Sequence, residues 1–148
     1  MSYATQANVE RALGGAAVLA QLLDPTGMGT PDAATVSEVL DRADAEVNSA
    51  IQIAIQLPLA TVPNAVVFAA TDVAAYLAWT YGSRGQAVPD DIRLRYEAAL
   101  RWLDDIASRK RTLGSAVKPT SDLQAKQVER STSDKPAVTF NTLRGFCW

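Results

Sequence analysis

The stretch "AVVFAATDVAAYLAWTYG", residues 65–82, constrains the fold of this chain more than any other. Wound into a helix it is apolar nearly all round, with Asp72 as its only charge. A helix without a polar face cannot lie on the surface of a globular protein and has to be packed on several sides. Five alanines between positions 69 and 78 allow neighbouring helices to come close. A membrane span needs roughly 20 apolar residues, and no uncharged apolar run of 18 occurs in the sequence. The segment therefore reads as the central helix of a bundle, starting at Pro63 or Asn64 and running to Tyr81, with "GSRGQ" as the break.

Two long amphipathic segments flank it. The first starts at Thr30 as N-cap with Pro31 at the first helical position, and Asp32 suits the positive end of the dipole. Val36, Val39, Leu40, Ala43, Val47, Ala50, Ile51 and Ala54 recur at helical spacing, and Glu38, Asp41, Arg42 and Asp44 are assigned to the opposite face. That predicts about 25 helical residues, roughly 37 Å long, ended by the two prolines of "LPLATVP". The other segment begins at Pro89 and reads "PDDIRLRYEAALRWLDDIASRKR". Its stripe is Ile92, Tyr96, Ala99, Leu100, Leu103, Ile106 and Ala107. Arg109, Lys110 and Arg111 are expected in its last turn, with Gly114 as the stop.

Before these come one or two short helices. "ATQANVERALGG" has Thr5 as N-cap and Gly14 or Gly15 as a left-handed stop, "AAVLAQLLD" supplies further turns, and "DPTGMGTPD" is a Pro- and Gly-rich loop. The fold class is then all-α, a small bundle of three long helices plus the short N-terminal ones. From Ser115 the sustained stripes disappear. Residues 1–114 are read as the helical domain and 115–148 as an extended C-terminal arm. The domain carries nine basic and thirteen acidic groups and the arm five and three, so the body is acidic and the arm basic. The last nine residues hold two Phe, one Leu and one Trp, whereas disordered tails are poor in such groups. Val138, Phe140, Leu143, Arg144, Phe146 and Trp148 are therefore the expected partner-binding residues, and Val138 and Phe140 alternate as in a strand added to a partner's sheet.

Little in the composition supports catalysis. The chain has no histidine, hence neither the commonest general base nor the commonest metal ligand. Its single cysteine, Cys147, cannot form an internal disulfide and lacks a neighbouring base. Asp90–Asp91 and Asp104–Asp105 are carboxylate pairs, but adjacent helical residues diverge by about 100° and do not converge on a substrate. The first pair is read as a dipole partner and the second as a solvated face. Asp72 is expected to meet an arginine such as Arg84, Arg95 or Arg101. "SRKR" at 108–111 either clamps a helix end or touches DNA phosphates. Neither "GGAA" nor "GSRG" follows a strand, so neither is a phosphate loop. No enzyme, cofactor or metal is expected, nor a signal peptide or membrane span.

The order "YAT", "DRADAEVNSAI", "LPLATVP", "RYEAALRWLDDIASRKRTLG" over residues 2–114 resembles the head–tail connector proteins of Mu-like tailed bacteriophages, small helical adaptor or head-completion proteins. Family members often carry an Arg-Tyr before the proline segment, where this chain has "AIQLPL". The resemblance implies a homo-oligomeric ring of twelve copies under the portal of a filled capsid. It also implies a C-terminal segment docked on the portal protein, a stopper or tail terminator below as the next neck protein, and double-stranded DNA passing through the lumen without sequence-specific binding. The implied location is the neck of the virion, assembled in the host cytoplasm. Two rivals are a small DNA-binding or packaging-regulatory protein using Arg109, Lys110 and Arg111, and an enzyme subunit completed by a partner.

Overall fold

A computed structural model describes residues 2–59, 61–83 and 85–113, all within the first of two units into which the chain divides, Met1–Lys118. Five helices account for the fold and no strand occurs among the described residues: α1 (Gln6–Leu13), α2 (Ala16–Leu23), α3 (Ala33–Ile51), α4 (Asn64–Gly82) and α5 (Asp90–Ala107). The all-α bundle expected from the pattern is what forms.

The helix without a polar face sits at the centre. α4 packs against each of the other four helices, while α3 also meets α5 and α1 meets α2. Its alanines are the contact surface: Ala69, Ala70, Ala74, Ala75 and Ala78 are all buried, three of them completely. The last turn of α4 comes closest to a neighbour. A Cβ on Gly82 would stand 2.6 Å from the carbonyl carbon of Leu22 and 2.7 Å from its Cα, so only glycine lets α4 end against the last turn of α2.

The core forms two clusters along the bundle. One gathers Val9, Leu13, Leu19 and Leu23 from the short helices with Val36, Val39, Val73 and Ile92. The other gathers Tyr3 and Ala4 with Val47, Ile51, Ile55, Leu59, Val66, Leu103 and Ile106. Leu40 and Trp102 pack against both and join them.

Helix ends follow capping chemistry. Thr5 caps α1, and Gly14 ends it in the left-handed region, with Gly15 N–H donating back to Glu10. α3 starts two residues later than expected. Its N-cap is Asp32, whose carboxylate accepts from Thr35 N–H at 3.1 Å and Thr35 Oγ1 at 2.6 Å, so Thr30 and Pro31 stay in the loop. The helix also ends early, at Ile51 and not near Ala54, giving 19 residues. Ala54 and Ile55 stay buried because the turn after Gln52 folds them under the helix, with both of their N–H groups bonded to Ile51 O. Asp44, assigned by residue type to the polar face, is in fact buried and accepts the Tyr3 backbone N–H at 3.0 Å.

Candidate functional site

The three cations at 109–111 do not lie in the last turn of α5, as the sequence suggested, but just beyond it. The helix ends at Ala107 with Ser108 as C-cap, and Arg109 takes the left-handed conformation (φ 59°). Arg109 N–H donates to Ile106 O at 2.9 Å and Lys110 N–H to Asp105 O at 2.8 Å, the reciprocal pair that closes a helix C-terminus. This ends the helix at Ala107, seven residues before Gly114, which lies outside the described residues. The side chains fold back too. Arg111 Nε stands 3.2 Å from Asp105 Oδ2 and Lys110 Nζ 3.9 Å from Asp105 Oδ1. Two of the three candidate DNA-facing cations thus share one carboxylate while remaining largely exposed.

Asp72 meets one of its expected partners. Arg95 Nη1 lies 3.8 Å from Asp72 Oδ1, and Arg95 Nη2 also donates to the Ala12 carbonyl at 2.9 Å and to Asp91 at 3.3 Å. One guanidinium therefore holds α1, α4 and α5 together and satisfies a carbonyl near the end of α1. Burial pushes the Asp72 carboxyl above its ordinary range, and Arg95 only partly offsets this. Arg101 is instead 3.5 Å from Glu97, and Arg84 lies outside the described residues. Asp90 and Asp91 open α5 and pair with Arg93 and Arg95, as the dipole reading requires; of the second pair Asp104 is exposed, whereas Asp105 is half-buried and engaged by Lys110 and Arg111 and not simply solvated.

The residues that carry the family resemblance build the bundle. Tyr3 and Ala4 of "YAT" are buried, Tyr3 OH donates to Asn48 Oδ1 at 2.5 Å, and Thr5 is the α1 cap. Burial, reinforced by the nearby Asp44 carboxylate, raises the Tyr3 hydroxyl pKa. Leu59 of "LPLATVP" is buried and Pro63 caps α4. In "RYEAALRWLDDIA" the Tyr96 ring stacks on Tyr76, centroids 4.0 Å apart and planes within 5°. Tyr96 OH reaches Glu46 Oε1 at 3.1 Å, and burial followed by that carboxylate raises its pKa.

Among the described residues no cluster of three or more Cys, Asp or Glu could hold a metal ion, and none of the helices is long and apolar enough to cross a membrane. What the surface does offer is two shallow grooves flanking α4. The first, about 320 Å³, runs between α1 and α4 and is lined by Arg11, Ala12, Phe68 and Asp72. The second, about 180 Å³, lies between α3 and α4 and is lined by Glu38, Arg42, Leu77 and Tyr81. Phe68 is 68% exposed and Tyr81 56%. Sequence reasoning missed both because α4 reads as apolar all round. The one available signal was Asp72: a lone charge marks the open side of a helix, and Phe68 stands one turn before it on the same face.

The bacteriophage Mu Gp36 family matches over residues 3–131. The chain belongs to the bacteriophage Mu Gp36 family. No curated protein matches it. The expected partner-binding residues of this Gp36-family chain, Val138, Phe140, Leu143, Arg144, Phe146 and Trp148, lie outside the described residues.

Proposed function

We propose that the chain is a structural virion protein, a head–tail connector that forms a ring beneath the portal, links the capsid to the neck and lets double-stranded DNA pass. The observation that supports this best is where the family-bearing residues sit. Tyr3, Asp44, Leu59, Tyr96 and Leu103 fix the packing of the helical body, and of the described residues in those stretches only Arg42 lines a groove flanking α4. A protein whose characteristic residues build its shape acts through that shape, which suits an adaptor without catalytic chemistry, cofactor or metal. An acidic body of net charge −4 over residues 1–114 suits a channel that DNA slides through.

In this reading residues 115–148 reach the portal protein, anchored by Phe140, Leu143, Arg144, Phe146 and Trp148. The opposite side of the ring meets the next neck protein, a stopper or tail terminator. Twelve arms would add their affinities through multivalency. The test is deletion of residues 115–148. The shortened chain is expected to keep its helical circular-dichroism signal and to stop co-sedimenting with portal rings. Co-sedimentation at the level of the full chain would overturn the assignment of the arm.

A further inference from the structure

We propose that copies of this chain associate head to tail through the two grooves of α4, the Phe68 face of one copy seating in the Tyr81 groove of the next. The inference deepens the ring reading above and names the surfaces that would build it.

Phe68 and Leu77 are nine residues apart on α4, two and a half turns, so they leave the helix on opposite sides. α1 borders one side and α3 the other. Two different patches pointing away from each other are what a heterologous contact needs, since an isologous dimer would use one patch twice. The shapes differ in the right sense. On the α1 side a phenyl ring stands out, 68% exposed, and on the α3 side Leu77 and the 56% exposed Tyr81 border a hollow of about 180 Å³. A phenyl ring that stands 68% exposed on the central helix is an apolar group in want of cover.

Charge selects a second copy as the occupant. Each groove carries one cation and one anion: Arg11 and Asp72 on the Phe68 side, Glu38 and Arg42 on the Tyr81 side. Among the described residues Arg11, Glu38 and Arg42 make no ion pair, and Asp72 has only the 3.8 Å contact with Arg95. The head-to-tail contact sets Arg11 against Glu38 and Asp72 against Arg42, so Arg11, Glu38 and Arg42 gain an opposite charge, Asp72 gains one beside Arg95, and the apolar centre is closed by Phe68 against Leu77 and Tyr81. Such a rim fixes partner and register more than it adds affinity.

The test uses full-length chains carrying Cys147→Ser, one with Asn8→Cys and one with Thr80→Cys; these positions line the two grooves and leave Phe68, Leu77 and Tyr81 in place. Mild oxidation is read both on the concentrated protein alone and on portal-bound material. The head-to-tail contact predicts that the mixture gives a disulfide-linked pair at least tenfold above either chain alone. An Asn8→Cys chain that links to itself as well as the mixture does indicates an isologous dimer and overturns the proposal, as does the absence of enrichment in both samples. Charge reversal gives a second readout by native mass: Arg11→Glu and Glu38→Arg each weaken self-association at least tenfold, and the two together in one chain restore it. Reversal of Glu38 without effect also overturns the proposal. The adaptor reading is judged separately, by whether the unsubstituted chain binds portal at all.

Discussion

Asp24 accepts hydrogen bonds from Thr26 N–H and Oγ1, Gly27 N–H and Gly29 N–H, at 2.6–2.8 Å, and so ties up the loop between α2 and α3. The Thr26 hydroxyl and these backbone donors favour the ionised carboxyl and hold its pKa down to about 2. Asp72 is displaced the other way by burial. The two carboxylates should therefore titrate on opposite sides of the ordinary value of 3.8. A folded pKa below the unfolded one means that the contribution of Asp24 is complete above about pH 4 and is lost as the pH falls through about 2. For Asp72 the sign reverses: ionisation is a cost above its raised pKa, and acid relieves it. Side-chain carboxyl shifts followed by NMR should show Asp72 taking up its proton before Asp24. A common midpoint near 3.8 would mean that neither environment persists in solution. Single residues were also where the sequence was hardest to read. Nothing local distinguishes Asp44 from Asp41, because its partner is a backbone N–H at Tyr3, 41 residues away. Asp32 and Thr30 are rival caps two residues apart, decided by the bonds Thr35 can return.

Helix α4 was the most legible element, since an apolar pattern without a polar face has one solution, burial on all sides. Its neighbours were legible as helices but not in their ends. Hydrophobic period ran on to Ala54 because a turn can bury residues as well as a helix can. The cations at 109–111 looked like a last turn because their charge suits a helix C-terminus whether they lie inside it or just past it. Close packing through alanine makes α4 sensitive to volume in a graded way. Ala74 is fully buried in the core, whereas Ala65 on the same helix is exposed. Ala74→Leu is expected to cost about 1–3 kcal/mol, since the extra methylenes must push helices apart. Ala65→Leu adds the same atoms and should stay within about 0.5 kcal/mol. Urea denaturation of the two variants checks this, and equal losses would contradict the central position of α4.

For the whole molecule, the deciding quantity is how charge is distributed over a body proposed to let DNA pass. The chain has a net charge of −2, with the acid in residues 1–114. The one basic cluster in the described body was visible in the sequence; Asp105, which engages Lys110 and Arg111, was not, because the turn-back at Arg109 brings them together. A binder that used all three cations on phosphates would show a slope of log K against log salt near −2.7, at about −0.9 per phosphate. A connector should show no such dependence, because a lumen that grips DNA would hinder its passage. Fluorescence anisotropy with a short labelled duplex between about 50 and 200 mM salt is expected to detect only binding weaker than roughly 10⁻⁴ M, below the usual non-specific range. Replacing Arg109, Lys110 and Arg111 together by alanine should leave that result unchanged. A slope near −2.7 that disappears in the triple variant would instead favour the packaging-regulatory reading, with these three side chains as its phosphate contacts.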